Sequence, residues 1–302
     1  MRIRKMQPFD LQIQSIASDG KHAPAEIVTM AKDGDVFVIA MTDHDTVGGV
    51  AEALAAGRAA GVRVIPGIEL SVEDRGAHLL AYGVDHAHPV LCARLEEFQK
   101  TRVEGAKQMV QNLAAAGFAV AWEDVAREAQ GAIARPHIAR AVLGRPENME
   151  KLGGIATSHD FIQKYLTDES PYYVRRAHIS AKDAIALIHI AGGVAVWSHP
   201  AVHFQGDEEG LEAFLKQLIG WGIAGLEVFS PAHTEDDAEY LWVLAGKYGL
   251  LFTGGSDFHE AGEHPADTRG LHAARTIGDF ETYGFPTDQI LPQLDARITS
   301  EK

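Results

Sequence analysis

The run Val36–Met41 has no polar residue on either face and stops abruptly at Thr42-Asp43-His44-Asp45. A strand that is apolar throughout is buried on both sides, which a layered or closed α/β sheet provides and a half-solvated sheet does not. The same kind of segment recurs along the chain. Phe9–Ile13, Val62–Ile65, Ala77–Tyr82, Val194–Trp197, Gly225–Phe229 and Leu250–Thr253 read as strands. Helical segments fall between most of them: Ala23–Ala31, Gly48–Ala60 (closing on Gly61), Ala181–Ala191, Leu211–Trp221 and Asp236–Tyr248. This alternation predicts a parallel sheet, open or closed into a barrel.

One stretch breaks the rhythm. From Pro89 to Tyr172 nothing is strand-like. Leu91, Leu95, Phe98, Ala106, Met109, Val110 and Leu113 recur at helical spacing with Gly117 as a stop. Trp122–Ala129, Pro136–Leu143 and His159–Tyr165 are helical as well. The expectation is a discontinuous α/β catalytic domain over residues 9–88 and 173–285, with a helical insertion or cap over 89–172. The tail from about Asp279 carries no usable signal.

Composition narrows the function. No apolar run approaches the ~20 residues of a membrane helix, and the basic segment Met1–Pro8 is not followed by the apolar stretch of a signal peptide. The single cysteine, Cys92, excludes an internal disulfide and a multi-cysteine zinc site. A cytoplasmic protein with no membrane partner is expected. The net charge is 27 − 42 = −15, a surface that repels long polyanions and argues against duplex DNA. It leaves room for a small phosphorylated substrate, because bound divalent metals reverse the local sign. The 15 histidines direct attention to such metals.

In α/β folds, function sits just past the carboxyl ends of parallel strands. The polar knots fall there. Beyond the first strand come Gln12, Gln14, Ser18 and Asp19; beyond the second, Asp43, His44 and Asp45; beyond the third, Glu69. His78 opens the fourth strand, His199 follows the fifth, and Asp257 and His259 follow the last. Carboxylates and imidazoles are costly to bury unless paired or metal-bound, so their repetition at strand ends points to metal ligation.

The segments Asp10-Leu11-Gln12-Ile13-Gln14-Ser15, Ser18-Asp19-Gly20, Thr42-Asp43-His44-Asp45, Gly67-Ile68-Glu69, Ser198-His199-Pro200 and Gly255-Ser256-Asp257-Phe258-His259 resemble, in order, the motif set of the PHP (polymerase and histidinol phosphatase) phosphoesterases. The resemblance implies a distorted (β/α)7 barrel holding two or three divalent metals (Mn, Zn, Fe or Mg) at its mouth. It implies one metal on Glu69, His78 and His199, another on Asp19, His44 and His259, and a third on the positions of Gln12 and Gln14 with Glu69 and Asp257. Glu69, His199 and Asp257 would stand at the reaction. Arg135-Pro136-His137-Ile138-Ala139 and Lys164-Tyr165-Leu166 resemble the insertion of one subgroup. Its substrates are nucleoside 3′,5′-bisphosphates and short 5′-phosphorylated oligonucleotides. Arg135 and Lys164 would then clamp phosphate, arginine by its bidentate fork. His137 would reach the site or cap its own helix. His199 or His233 would protonate the leaving oxygen.

The family's first motif has histidines where this chain has Gln12 and Gln14. An amide offers only an oxygen, a weaker partner for zinc or iron than imidazole nitrogen. Three outcomes are open: an altered site that prefers manganese or magnesium, a two-metal enzyme, or a nucleotide-binding protein without turnover. A histidinol-phosphate-type phosphatase is a further alternative, although it would not need the insertion. An amidohydrolase would want a metal-bridging lysine after a strand, and none is present. His86 and His88 read as a solvated turn; His22, His178, His189, His203, His264 and His272 have no motif context.

Overall fold

The computed structural model of the protein describes residues 7–129, 133–167, 169–174, 179–262, 274 and 276–301. The chain forms two compact units, Met1–Ala93 with His178–Lys302, and Arg94–Ala177.

The first unit is a nearly closed barrel of seven strands in sequence order: β1 (Phe9–Asp10), β2 (Val38–Met41), β3 (Arg63–Ser71), β4 (His78–Tyr82), β5 (Val194–Trp197), β6 (Gly225–Phe229) and β7 (Leu251–Gly254). Its helices are α1 (Pro24–Asp33), α2 (Val50–Ala60), α8 (Ala181–Ile190), α9 (Glu208–Trp221), α10 (Glu235–Tyr248) and α11 (Ile290–Ser300). The first and last strands meet through Leu11 N–H to Gly254 O (3.3 Å), Gln14 N–H to Phe258 O (2.9 Å) and a bridge of Ile13 with Phe258. Gly255 is needed at this seam: a Cβ there would stand 2.5 Å from the Gln12 nitrogen. Ile13, Ile27, Ile39, Met41 and Phe258 pack α1 and α2 onto this side of the barrel.

The sheet departs from the parallel expectation at one strand. β4 runs antiparallel to both β3 and β5, with Ser71 opposite His78. The reason is connection length. Residues 72–77 join β3 to β4 in a tight turn through Arg75 (φ 58°) and Gly76 (φ 68°), whereas a parallel crossover needs a dozen or more residues. The reversal matters for function, because it brings the first residue of β4 to the end where the parallel strands finish. β3 also runs six residues beyond the expected Ile65, to Ser71. Pro66 and Gly67 look like a strand stop but lie within it, where a Cβ at 67 would meet Ala81 O at 2.8 Å. α11, in the uninformative tail, packs on β5 and β7.

The second unit is helical: most of α3 (Pro89–Ala115), then α4 (Trp122–Glu128), α5 (Arg135–Leu143), α6 (Met149–Leu152) and α7 (Ser158–Tyr165). It has a core of its own around Leu113, Phe118, Val125, Ile138, Val142 and Phe161. Phe118 meets Phe161 edge-on at 5.8 Å and Tyr165 at 5.1 Å. Among the described residues no helix is long and apolar enough to cross a membrane.

Candidate metal centre

Two buried aspartates fix the strand-end loops before any ligand is considered. Asp10 accepts the backbone N–H groups of Gln12 (3.2 Å), Ser256 (2.9 Å) and Gly278 (2.7 Å), tying the end of β1 to the turn after β7. Asp43 accepts from Ser15 N–H (2.6 Å), Ser15 Oγ (2.8 Å) and Ser18 Oγ (2.7 Å), holding the loop that carries Asp19. Burial pushes both carboxyls up to about 6 against the pull of these hydrogen bonds. Backbone strain concentrates here too: Asp45 (φ 52°), His199 (φ 28°) and Asp257 (φ 51°) all sit at strand ends in the left-handed region. Non-glycine residues adopt it at a cost that functional sites commonly carry.

Glu69, wholly buried near the end of β3, is the point on which the strand ends converge. Its Oε1 faces His78 Nδ1 (3.0 Å), His199 Nε2 (3.3 Å) and the Ser198 hydroxyl (3.1 Å). Its Oε2 accepts from the amides of Gln12 (3.1 Å) and Gln14 (2.7 Å), with His44 Nδ1 at 3.8 Å. Burial alone would raise its pKa. The imidazoles of His44, His199 and His78 outweigh that and hold the carboxyl well below its usual range.

Four imidazoles stand in a row across the mouth. Ring centroids are 6.2 Å apart for His259–His44, 5.0 Å for His44–His78 and 5.2 Å for His78–His199. Burial lowers the pKa of His44 and of His199 despite nearby carboxylates, leaving each with a lone pair to give. Burial also opposes a charge on His78 and His259, but there the carboxylates win. Glu69 raises His78; Asp257 and Asp19 raise His259, whose Nε2 lies 3.5 Å from Asp19 Oδ1. Asp257 is pushed up by burial and then by the charges of Glu69 and Asp19.

Metals fit this half of the mouth. Asp19, His44 and His259 form a group in which one ligand atom from each lies within 4.8 Å of the others, and His44, Glu69 and His78 form a second. A neutral imidazole has one lone pair, so His44 serves one group. Assigning it to Asp19 and His259 leaves Glu69, His78 and His199 together, each imidazole already within 3.3 Å of the carboxylate. The Nδ1 atom of His44 is buried without a hydrogen-bond partner, as expected of a ligand nitrogen with no metal present. The Gln12 and Gln14 side does not fit in the same way: both amides present N–H, not oxygen, to the shared carboxylate.

The sequence comparisons decide the family. Residues 10–113 match the model of the PHP domain. A 3′,5′-nucleoside bisphosphate phosphatase of Chromobacterium violaceum is 34% identical over 297 residues, 97% of this chain and 98% of the relative. The chain is a member of the PHP phosphoesterase family. A 5′-3′ exoribonuclease of Haemophilus influenzae is 30% identical over 253 residues, 83% of this chain and 89% of its own length. The solved structure of a metal-dependent phosphoesterase from Bifidobacterium adolescentis superposes with a TM-score of 0.78 at 26% identity, covering 96% of each chain. As a PHP phosphoesterase the chain is a metal-dependent hydrolase of phosphoric esters.

The PHP barrel thus brings together Gln12, Gln14, Asp19, His44, Glu69, His78, His199, Asp257 and His259. His233 lies at the end of the loop after β6 and its Nδ1–H donates to Val228 O (2.8 Å). Burial lowers its pKa to about 4, so the ring is neutral at neutral pH. His137, Arg135 and Lys164 belong to the second unit. His137 caps its own helix, accepting Ala134 N–H at 2.9 Å. Arg135 donates to Leu166 O (3.4 Å) and lies over Tyr173; Lys164 lies over the Tyr165 ring. Two residues at the mouth, His203 and Glu227, have no role in the sequence reading, and Ser198 enters it only as part of a motif. Ser198 bridges Gln12 and Glu69. The His203 ring lies 6.0 Å from His199 and 6.4 Å from His78. Glu227, fully buried, accepts the backbone N–H of strained His199 at 2.8 Å. A carboxylate inside the apolar run of β6 was the available signal, since such a group must have a partner.

Proposed function

We propose that this chain hydrolyses phosphate monoesters of small nucleotides such as nucleoside 3′,5′-bisphosphates, with short 5′-phosphorylated oligonucleotides as the second substrate class. The end-to-end match to a bisphosphate phosphatase carries the reading, because it spans 97% of this chain and 98% of the relative. The match to a 5′-3′ exoribonuclease supports the second class. Asp19, His44 and His259 would hold one metal, and Glu69, His78 and His199 another. Metals so held supply a lowered pKa for bound water and charge stabilisation for the phosphoryl oxygens. The protein's own part is to fix these ligands. Glu227 anchors the His199 backbone and Asp43 anchors the Asp19 loop. His199 where it is not tied to metal, or else His233, would protonate the leaving oxygen, and Arg135 and Lys164 would bind phosphate oxygens. No serine or cysteine nucleophile is required.

The test strips the protein of metal, reloads it with manganese and measures phosphate release from adenosine 3′,5′-bisphosphate. Turnover that vanishes in His44→Ala supports the reading. Binding of the nucleotide without phosphate release under manganese, zinc, iron or magnesium would make the chain a nucleotide-binding protein instead.

A further inference from the structure

Glu69 Oε2 already has two donors. Gln12 Nε2 and Gln14 Nε2 approach it at 3.1 and 2.7 Å, and a carboxylate oxygen has about two lone-pair directions. Each glutamine is further committed. Gln12 Nε2 also donates to Ser198 Oγ (2.9 Å), and the Ser198 hydroxyl returns to Glu69 Oε1 (3.1 Å). Gln14 Oε1 accepts from Ser18 Oγ at 3.2 Å, within the group that Asp43 pins. The side chains of Gln12, Gln14, Glu69 and Ser198 are all wholly buried. A closed ring of hydrogen bonds in a low-dielectric pocket resists rearrangement, because turning one amide strands a partner.

Each amide meets the Glu69 carboxyl through its Nε2, so the group it turns to that oxygen is N–H. Two N–H dipoles aimed at one carboxylate oxygen offset its charge in the place where a dication would otherwise sit. An imidazole at either position would instead offer a lone pair and leave the carboxylate to be neutralised by metal. Asp257 faces the imidazole side instead, with its Oδ1 3.8 Å from His259 Nδ1.

We propose that the side-chain amides of Gln12 and Gln14 take the place of a third metal ion as partners of Glu69, so that this PHP barrel binds two metals and no more. The proposal rests on the reading of the mouth as a metal centre. It makes the β1 side a rigid amide wall that sets the orientation of Glu69 whether or not metal is bound. Buried Gln12 Oε1, which has no hydrogen-bond partner, is the one polar atom the wall leaves unused.

The experiment counts metal per chain by elemental analysis after saturation with manganese or zinc and dialysis. Wild type is compared with Gln12→His/Gln14→His and with Gln12→Ala/Gln14→Ala. Two ions in wild type, three in the histidine variant and two in the alanine variant support the proposal. Three ions in wild type overturn it and leave the phosphoesterase reading intact. No bound ion in wild type overturns both. Should the variants fail to fold, side-chain amide NMR of wild type decides. Two exchange-protected glutamine NH2 groups that persist from apo to metal-loaded protein support the wall, and their loss or large shift on loading overturns it.

Discussion

The two sides of the barrel mouth handle the same problem, a fully buried carboxylate, by opposite means. On the side of β2, β4, β5 and β7, imidazoles and Asp19 face one another with the Nδ1 of His44 left without a hydrogen-bond partner. On the side of β1, the amides of Gln12 and Gln14 saturate Glu69 Oε2. The first arrangement leaves the carboxylate to imidazoles that could hold a cation; the second already gives Glu69 Oε2 two amide donors and leaves only Gln12 Oε1 unpaired. The lesson is that a strand-end motif can keep its position and its burial while the sign of what it offers, lone pair or N–H, is reversed by one residue type.

The most severe break of this contrast is His44→Ala, which removes a ligand that both possible metal groups contain. Losing metal forfeits several kcal/mol of transition-state charge stabilisation, so phosphate release should fall on the order of 10³-fold. Metal content should fall with it, and the glutamine amides should remain protected. Unchanged metal binding would refute the division of the mouth.

Glu227 tests whether the metal side depends on support from beneath. Glu227→Leu leaves the His199 N–H buried and unpaired, at about 1–3 kcal/mol of stability and ~10–100-fold in metal affinity. Glu227→Gln keeps an acceptor and should restore most of both. Equal losses in the two variants, by denaturant melts and metal titration, would show that the charge and not the anchor matters.

Asp10 probes the amide side through pH. Its folded pKa of about 6 lies above the ordinary 3.8, so its contribution is fully present below 3.8 and is lost as pH rises through about 6. A rise of this size corresponds to roughly 3 kcal/mol. Wild type should therefore lose part of its advantage over Asp10→Asn between pH 4 and 7 in thermal melts. An advantage that grows over this range would reverse the sign assigned to Asp10.

How much of this could be read beforehand differs by element. The apolar runs located all seven strands, and the polar residues after them located the mouth, because burial of a strand and exposure of its end leave opposite marks on composition. Strand direction leaves no such mark. Ala77–Tyr82 reads alike either way, and only the short connection at 72–77 carries the information that β4 turns back. Pro66-Gly67 imitates a stop because the close approach of Met41 O and Ala81 O, which demands glycine, is invisible in sequence. α11 was missed although Ile290, Leu294 and Ile298 recur every four residues, a stripe too short to stand out from a tail. The hydrogen-bond sense of Gln12 and Gln14 depends on Glu69, more than fifty positions away in the chain (|i−j| of 57 and 55), so no local pattern encodes it.

The reversal at β4 has a consequence for how this protein can change. Surface loops usually absorb insertions and deletions without harm. The connection at 72–77 cannot, because it works as a gauge: it fixes Ser71 opposite His78. A single-residue slip in that pairing would turn His78 to the other face of the strand. The most ordinary-looking loop of the barrel is therefore among its least negotiable, and length variation among descendants of this chain should collect almost anywhere else on its surface.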